Sequence, residues 1–409
     1  YNWESTLTAS LLQPDVWHFE VAPWPERIFG KKYPRSAPRD ERKSIPPAYA
    51  TELQTVMNTL NDMNQKPVSW SCGTTGIGLL ISDSLMFERG DPISSDHDLS
   101  HIYGLAMPLV MRGIPLAPVQ LENVTLPHYL DQFHILLLTY QGMKALTPEV
   151  HVELAKWVKH GGVLAVCDDD SDPYNAVKDW WNSDGLQFKT PREHLFKLLG
   201  VGPDGDAAKS NETQSEYNIG QGELIWLKKN PAKLAKASDG ADEVLALVKH
   251  AAQFEHLLWQ ETNCLLLRRG PYVVAAGLDD SGGTQPQVLS GRFVNLFDSE
   301  LKVQTSIRLE PGSRFFLRDL NVTNERHPEL IASACKALVT KHNDEALTLA
   351  VEGADNTQAV VLLQTDKPPG AITLDGQPIE TSSYSATDKL LWIRFPNEAH
   401  PRELSVQWK

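Results

Sequence analysis

The 409-residue chain is 41% hydrophobic and 22% charged, with a formal net charge of −14, which places it among ordinary globular proteins of roughly two to four domains. So acidic a chain has no broad electrostatic grip on nucleic acid or anionic lipid, because phosphate binding needs a basic surface, and no apolar run approaches the ~20 residues of a membrane span. Its four dispersed cysteines, Cys72, Cys167, Cys264 and Cys335, fit neither a metal-knuckle spacing nor a dense disulfide framework and read as buried thiols.

Residues 3–12 carry apolar groups at helical spacing, Pro14 and Asp15 break the run, and residues 16–22 read as a strand bearing Trp17, His18 and Glu20. Trp24, flanked by Pro23 and Pro25, and the pair Glu26 and Arg27 come next. Residues 30–43 hold six basic side chains, Lys31, Lys32, Arg35, Arg39, Arg42 and Lys43, with two prolines and little that is apolar, so they form a surface loop. Pro46 and Pro47 open a helix over residues 48–63, with Leu53, Val56, Met57 and Leu60 on one face. Helix, strand, long loop and closing helix is the order at the end of a (β/α)8 barrel, where active-site groups stand at the C-terminal ends of the strands. Glu20 would there supply an acid/base or charge-stabilising carboxylate, Trp24 and Trp17 an apolar platform for a sugar ring, and Glu26 a further contact to substrate. The plainer alternatives are a structural carboxylate, core indoles and a solvated rim pair. In a strand, Trp17 and His18 face opposite sides.

From Gly76 the pattern becomes strand and helix in alternation: strands at 78–82, 114–121, 134–139, 163–167 and 223–227, helices at 99–112, 147–160 and within 231–259. The strand at 114–121 is weakened by Pro115 and Pro118. Regular alternation predicts a parallel, flavodoxin-like sheet with helices on both faces. The acidic run Asp168, Asp169, Asp170, Asp172 follows a strand, where such sheets bind ligands. It departs from a calcium loop, since Pro173 replaces the glycine and Asp179 the glutamate, so a helix N-cap in a solvated acidic turn is the reading and no metal is expected. The glycines of residues 73–78 precede their strand, whereas a phosphate loop follows one. No nucleophile elbow is present.

After Thr262 short strands take over, at 264–268, 272–276, 303–309, 314–320, 346–351, 359–364, 371–374, 390–395 and 403–408, interrupted by a helix over 328–341. Asp375-Gly376 marks a hairpin turn. The sum is one or two antiparallel β-sandwiches. The chain begins at Tyr1 with no signal pattern, which points to a removed leader or a missing upstream region. Three sequons, at Asn123, Asn211 and Asn321, are near what chance gives and leave the compartment open.

A barrel end over residues 1–66, a parallel α/β domain over 67–260 and a β-sandwich region over 261–409 resemble the C-terminal portion of the β-galactosidases of glycoside hydrolase family 42, with residues 19–29 as the sharpest local match. The resemblance implies hydrolysis of a β-linked glycoside without a cofactor, a homo-oligomer built through the middle domain, and an N-terminal barrel chain as partner. It also implies that the family's two catalytic carboxylates come from earlier strands, so Glu20 lines the site rather than acting as nucleophile, and its partner carboxylate is absent. The competing class is a non-catalytic oligomerisation or carbohydrate-binding protein. A third option is an amidotransferase-like sheet that binds a small molecule.

Overall fold

Strands whose residues are apolar without interruption must be covered on both faces, and this chain has several in its middle third. The computed structural model describes residues 2–20, 25–85, 99–202, 207–279, 285–322 and 328–409. Two compact units emerge, one of Cys72–Leu265 with Leu278–Gln285, the other of Tyr1–Ser71, Leu266–Gly277 and Pro286–Lys409. The three consecutive segments expected from sequence give way to an arrangement in which the first 71 residues and the last 124 belong to one unit.

In the first of these units five parallel strands, β1 (Ile77–Ile81), β2 (Leu116–Gln120), β3 (Ile135–Leu138), β4 (Val163–Cys167) and β5 (Gly222–Leu227), lie in the order β2-β1-β3-β4-β5. Gln214–Ile219 and Lys209–Ser210 extend the sheet antiparallel beyond β5. Every residue of β3 and β4 is buried. Pro118 is tolerated because β2 is the edge strand, where a missing N–H breaks no ladder. Helices α1 (Ser100–Val110), α2 (Glu149–Lys159), α3 (Pro191–Leu199) and α4 (Gly240–Phe254) supply the cover, α1 packing on α4 and α2 on α3. The glycines before β1 are there for packing: Gly73 has φ +52° and a Cβ on it would stand 2.1 Å from the Gly113 carbonyl oxygen.

The other unit is antiparallel throughout. Val68–Trp70, Cys264–Arg269, Tyr272–Gly277, Arg314–Asp319, Val288–Asn295 and Val303–Arg308 form one sheet in that order. Two further sheets, one carrying Gln358–Gln364 and Leu390–Pro396, the other Ala346–Glu352 and Arg402–Trp408, bury Val361, Leu363, Ile393, Leu349, Leu404 and Val406 in a common core, the arrangement of a sandwich. The hairpin at Asp375 and Gly376 forms as expected, with both at positive φ.

Two expectations fail here. Residues 328–341 are not helical but make Glu329–Ser333 and Lys336–His342, each in a different sheet. Leu330, Ile331, Ala334, Cys335 and Leu338 recur at helical spacing, yet the unpaired backbone of Gln358–Gln364 and Ala346–Glu352 takes both halves as neighbours. The barrel end also fails. Asn2–Leu11 packs on Tyr272–Gly277 and Arg314–Asp319, and Pro47–Thr59 packs on Glu329–Ser333 and Gln358–Gln364, so both helices cover antiparallel sheets. Among the described residues no helix is long and apolar enough to cross a membrane. All four cysteines are free and buried.

Candidate functional site

The segment expected to carry a sugar site lies outside any sheet over residues 16–20. Just before it the buried Arg269 guanidinium gathers the chain, donating to the carbonyls of Gln13, Pro14 and Val16 at 3.0, 3.1 and 3.0 Å, and to that of Met63 at 3.2 Å. Trp17, 42% exposed, lies against His18 with ring centroids 3.6 Å apart, so the two are side by side rather than on opposite faces. Glu20 is exposed. A glycosidic acid or nucleophile works in an enclosed site opposite a second carboxyl group, and residues 21–24, which follow Glu20, lie outside the described residues. Trp24 lies outside the described residues, and Glu26 belongs to the short helix Pro25–Phe29 with its side chain outside the description.

The basic loop that follows is built rather than loose. Arg42 donates to the carbonyls of Ala37 at 2.8 Å and Arg35 at 2.7 Å, and Tyr33 and Lys43 exchange backbone hydrogen bonds at 2.7 and 2.9 Å. Folded this way, Lys31, Lys32, Arg35, Arg39 and Arg42 line a shallow concavity of about 430 Å³. Five cations around one hollow, in a chain of net charge −14, make a local anion-attracting surface.

A second group in the same unit was not foreseen. Burial, the Glu4 charge and a hydrogen bond shared with Glu4 push the Glu52 carboxyl up to about 7, while Glu4 pairs with Arg314 at 2.5 Å. One carboxyl acid and one carboxylate side by side is a pattern found in acid–base sites. Here the pair ties the helices Asn2–Leu11 and Pro47–Thr59 to the strand Arg314–Asp319 beneath Trp3, which packs edge-on against Tyr49 and Phe297. No sequence signal points to it, since its members are 48 and 310 residues apart.

In the α/β unit the acidic run after β4 is partly internal, with Asp168 and Asp172 buried and Asp169 and Asp170 half-buried. Asp168 is buried and accepts from the Tyr140 N–H at 2.8 Å, the Gln141 amide at 2.8 Å and the Asp170 N–H at 2.7 Å; burial pushes its pKa up. Asp172 caps the turn Pro173–Ala176 through the Tyr174 N–H at 2.8 Å and faces buried Lys144 at 3.4 Å. Asp170 pairs with Arg192 at 2.6 Å, whose guanidinium stacks 4.1 Å from the Trp226 ring centre. Asp169 pairs with Lys233 at 2.8 Å. The N-cap reading is therefore right for Asp172, and each of the four carboxylates has protein donors. Beside them runs a chain from the Tyr140 hydroxyl to His151 Nε2 at 2.6 Å and from His151 Nδ1 to His194 Nδ1 at 2.9 Å. Burial and then the His194 charge hold His151 well below the usual histidine range, so it is neutral at pH 7. Between β1 and β3, where strand order reverses, Ser82 and Ser84 both donate to the Lys144 carbonyl at 2.7 Å.

No known family model matches the chain, and no curated protein matches it. Among solved structures it is similar to a β-galactosidase from Bacillus circulans sp. alkalophilus, with 10% identity over 66% of this chain and 43% of that one and a TM-score of 0.42. A β-galactosidase from Rahnella sp. R3 gives 10% identity over 60% and 41% with a TM-score of 0.37. An exo-β-1,4-mannosidase from Opitutaceae bacterium strain TAV5 gives 12% over 46% and 36% with a TM-score of 0.26. The chain spans less than half the length of each.

Proposed function

We propose that this chain is the supporting region of a family-42-like glycoside hydrolase acting on a β-linked glycoside, and that bond cleavage is carried out by carboxylates other than Glu20. The observation that supports the reading is the succession of architectures: a parallel sheet with strand order β2-β1-β3-β4-β5, which we read as flavodoxin-like, followed in sequence by antiparallel sheets that pack as a sandwich. This is an argument from arrangement, and it assigns a role to the region rather than chemistry to a residue. Oligomer formation through the parallel-sheet unit and a barrel supplied from outside these residues belong to the same proposal.

The cationic hollow narrows the ligand. Four of its five residues, Lys31, Lys32, Arg35 and Arg39, are exposed, and cations held by a folded loop favour a sugar bearing sulfate or carboxylate groups over a neutral one. A non-catalytic carbohydrate-binding role is the second reading, favoured by the exposure of Trp17 and Glu20. Binding to a panel of sulfated, uronate-containing and neutral oligosaccharides tests both. The expected result is retention of anionic members only, weakened about tenfold by raised salt and by Arg35→Ala with Arg39→Ala. Equal retention of neutral sugars would reverse the assignment of the loop, and no retention of any sugar would remove the carbohydrate reading of this region.

A further inference from the structure

The opposite end of the parallel sheet carries a group of side chains that the proposed function does not use. Glu223 stands at the start of β5, and Glu216 on the adjacent antiparallel strand is in register with Ile225. Residues offset by two across an antiparallel pair share a face, so the two carboxylates are diagonal neighbours. Helix α4 lays His250 over them, with its Nε2 3.5 Å from Glu216 Oε2 and 3.7 Å from Glu223 Oε1. One donor atom from each of the three lies within 4.8 Å of the other two.

What separates this group from an ordinary acidic cluster is what it leaves unmade. The Glu223 side chain is only 7% exposed, and its Oε2 is buried with no hydrogen-bond partner, as is His250 Nε2. A buried carboxylate oxygen without a hydrogen bond is costly, and His250 Nε2, with no hydrogen bond of its own, has the other oxygen of Glu223 and that of Glu216 within ion-pair distance. Glu216 is itself oriented, since the Gln214 amide donates to its Oε1 at 3.0 Å, the kind of outer contact that holds a metal ligand in place.

We infer that Glu216, Glu223 and His250 form a binding site for a divalent transition-metal ion, with zinc as the best match. Zinc takes imidazole nitrogen and carboxylate oxygen at about 2.0–2.2 Å, which sets tetrahedral donors about 3.3–3.5 Å apart; the observed 3.5 and 3.7 Å to His250 are close to that, and the two carboxylate oxygens, within 4.8 Å of each other, close on the ion by rotation of their side chains. Two carboxylates cancel the charge of the ion. Magnesium and calcium fit poorly, because both prefer oxygen shells with more members and neither favours imidazole. The Lys209 ammonium, 3.5 Å from Glu216 Oε2 on a side chain that is 74% exposed, stands in as the counter-charge in the metal-free chain and swings outward when the ion enters. Bound there, the ion fastens α4 to the antiparallel edge of the sheet, a structural role that does not depend on the glycosidase reading.

The test is a zinc titration of the whole 409-residue chain after EDTA dialysis, by calorimetry and by melting temperature. The expected result is one equivalent bound with micromolar or tighter affinity and a rise in melting temperature. His250→Gln and Glu223→Gln should each weaken binding at least about tenfold and erase the rise, while Lys209→Met, which leaves all three ligands in place, should tighten it. Circular dichroism of the metal-free variants confirms that each is folded, and the Lys209→Met arm still decides the matter if Glu223→Gln is not. Absence of saturable one-to-one binding, or binding unchanged in His250→Gln and Lys209→Met, overturns the inference.

Discussion

The two ends of one parallel sheet handle buried charge in opposite ways. At the carboxyl end, Asp168, Asp170 and Asp172 meet backbone N–H groups, an amide, Lys144 and Arg192. At the amino end, Glu216, Glu223 and His250 converge at ion-pair distances, with Glu223 Oε2 buried and without a hydrogen bond. A polar cluster whose groups satisfy one another holds loops in place and has little left for a ligand, whereas one with unmade bonds is poised for something the chain does not itself supply. The position of carboxylates at the C-terminal end of strands, the usual place for function in such sheets, is thus a poor guide here, and hydrogen-bond bookkeeping is the better one.

The contrast can be broken most severely at Asp168. Removing it in Asp168→Ala strands the buried N–H of Tyr140 and leaves the Gln141 amide with Asp169 as its remaining acceptor, and should cost about 3 kcal/mol in urea unfolding; a near-neutral result would mean the carboxyl end is not the closed network described. Acid provides a second test. His151 binds its proton more weakly in the folded state than unfolded, so its contribution is fully present above the ordinary histidine value and is lost as pH falls below it. Stability should decline from about pH 6.5 downward with a slope approaching about 1.4 kcal/mol per pH unit, and His151→Phe should flatten that part of the curve.

At the amino end the sign reverses. In EDTA, Glu223→Met removes a carboxylate with an unpartnered oxygen and should stabilise the chain by about 1 kcal/mol, read as a higher urea midpoint; destabilisation of the size expected at Asp168 would erase the distinction between the two ends. The smallest effect is expected outside the sheet. Glu52 holds its proton more tightly when folded, so its stabilisation is present at low pH and is lost as pH rises through about 7. A modest fall in melting temperature over that rise, absent in Glu52→Gln, is the expected outcome.

Much of the α/β unit was legible because uninterrupted apolar runs such as Ile135–Leu138 and Val163–Cys167 admit few structures other than buried strands. Residues 328–341 are a short segment whose local pattern suits a helix, while the neighbouring strands decide the outcome. Glu20 and Trp17 were chosen for their company in sequence; both are exposed, and residues 21–24 beside them lie outside the described residues. Glu216 and Glu223 are close in sequence, yet the imidazole that completes their group lies 27 residues further on along α4.

The claim on which the functional account turns is that this region supports a β-glycosidase without Glu20 doing the cutting. The direct measurement is aryl β-glycoside hydrolysis in material recovered through a tag placed on the gene at its natural locus, so that whatever carries or accompanies the chain is retained, for wild type and Glu20→Gln in parallel. The account predicts glycosidase activity in both eluates, with turnover in Glu20→Gln within about threefold of wild type, since only groups that contact the reacting centre carry large losses. No activity in the wild-type eluate, or its abolition by Glu20→Gln, would contradict it.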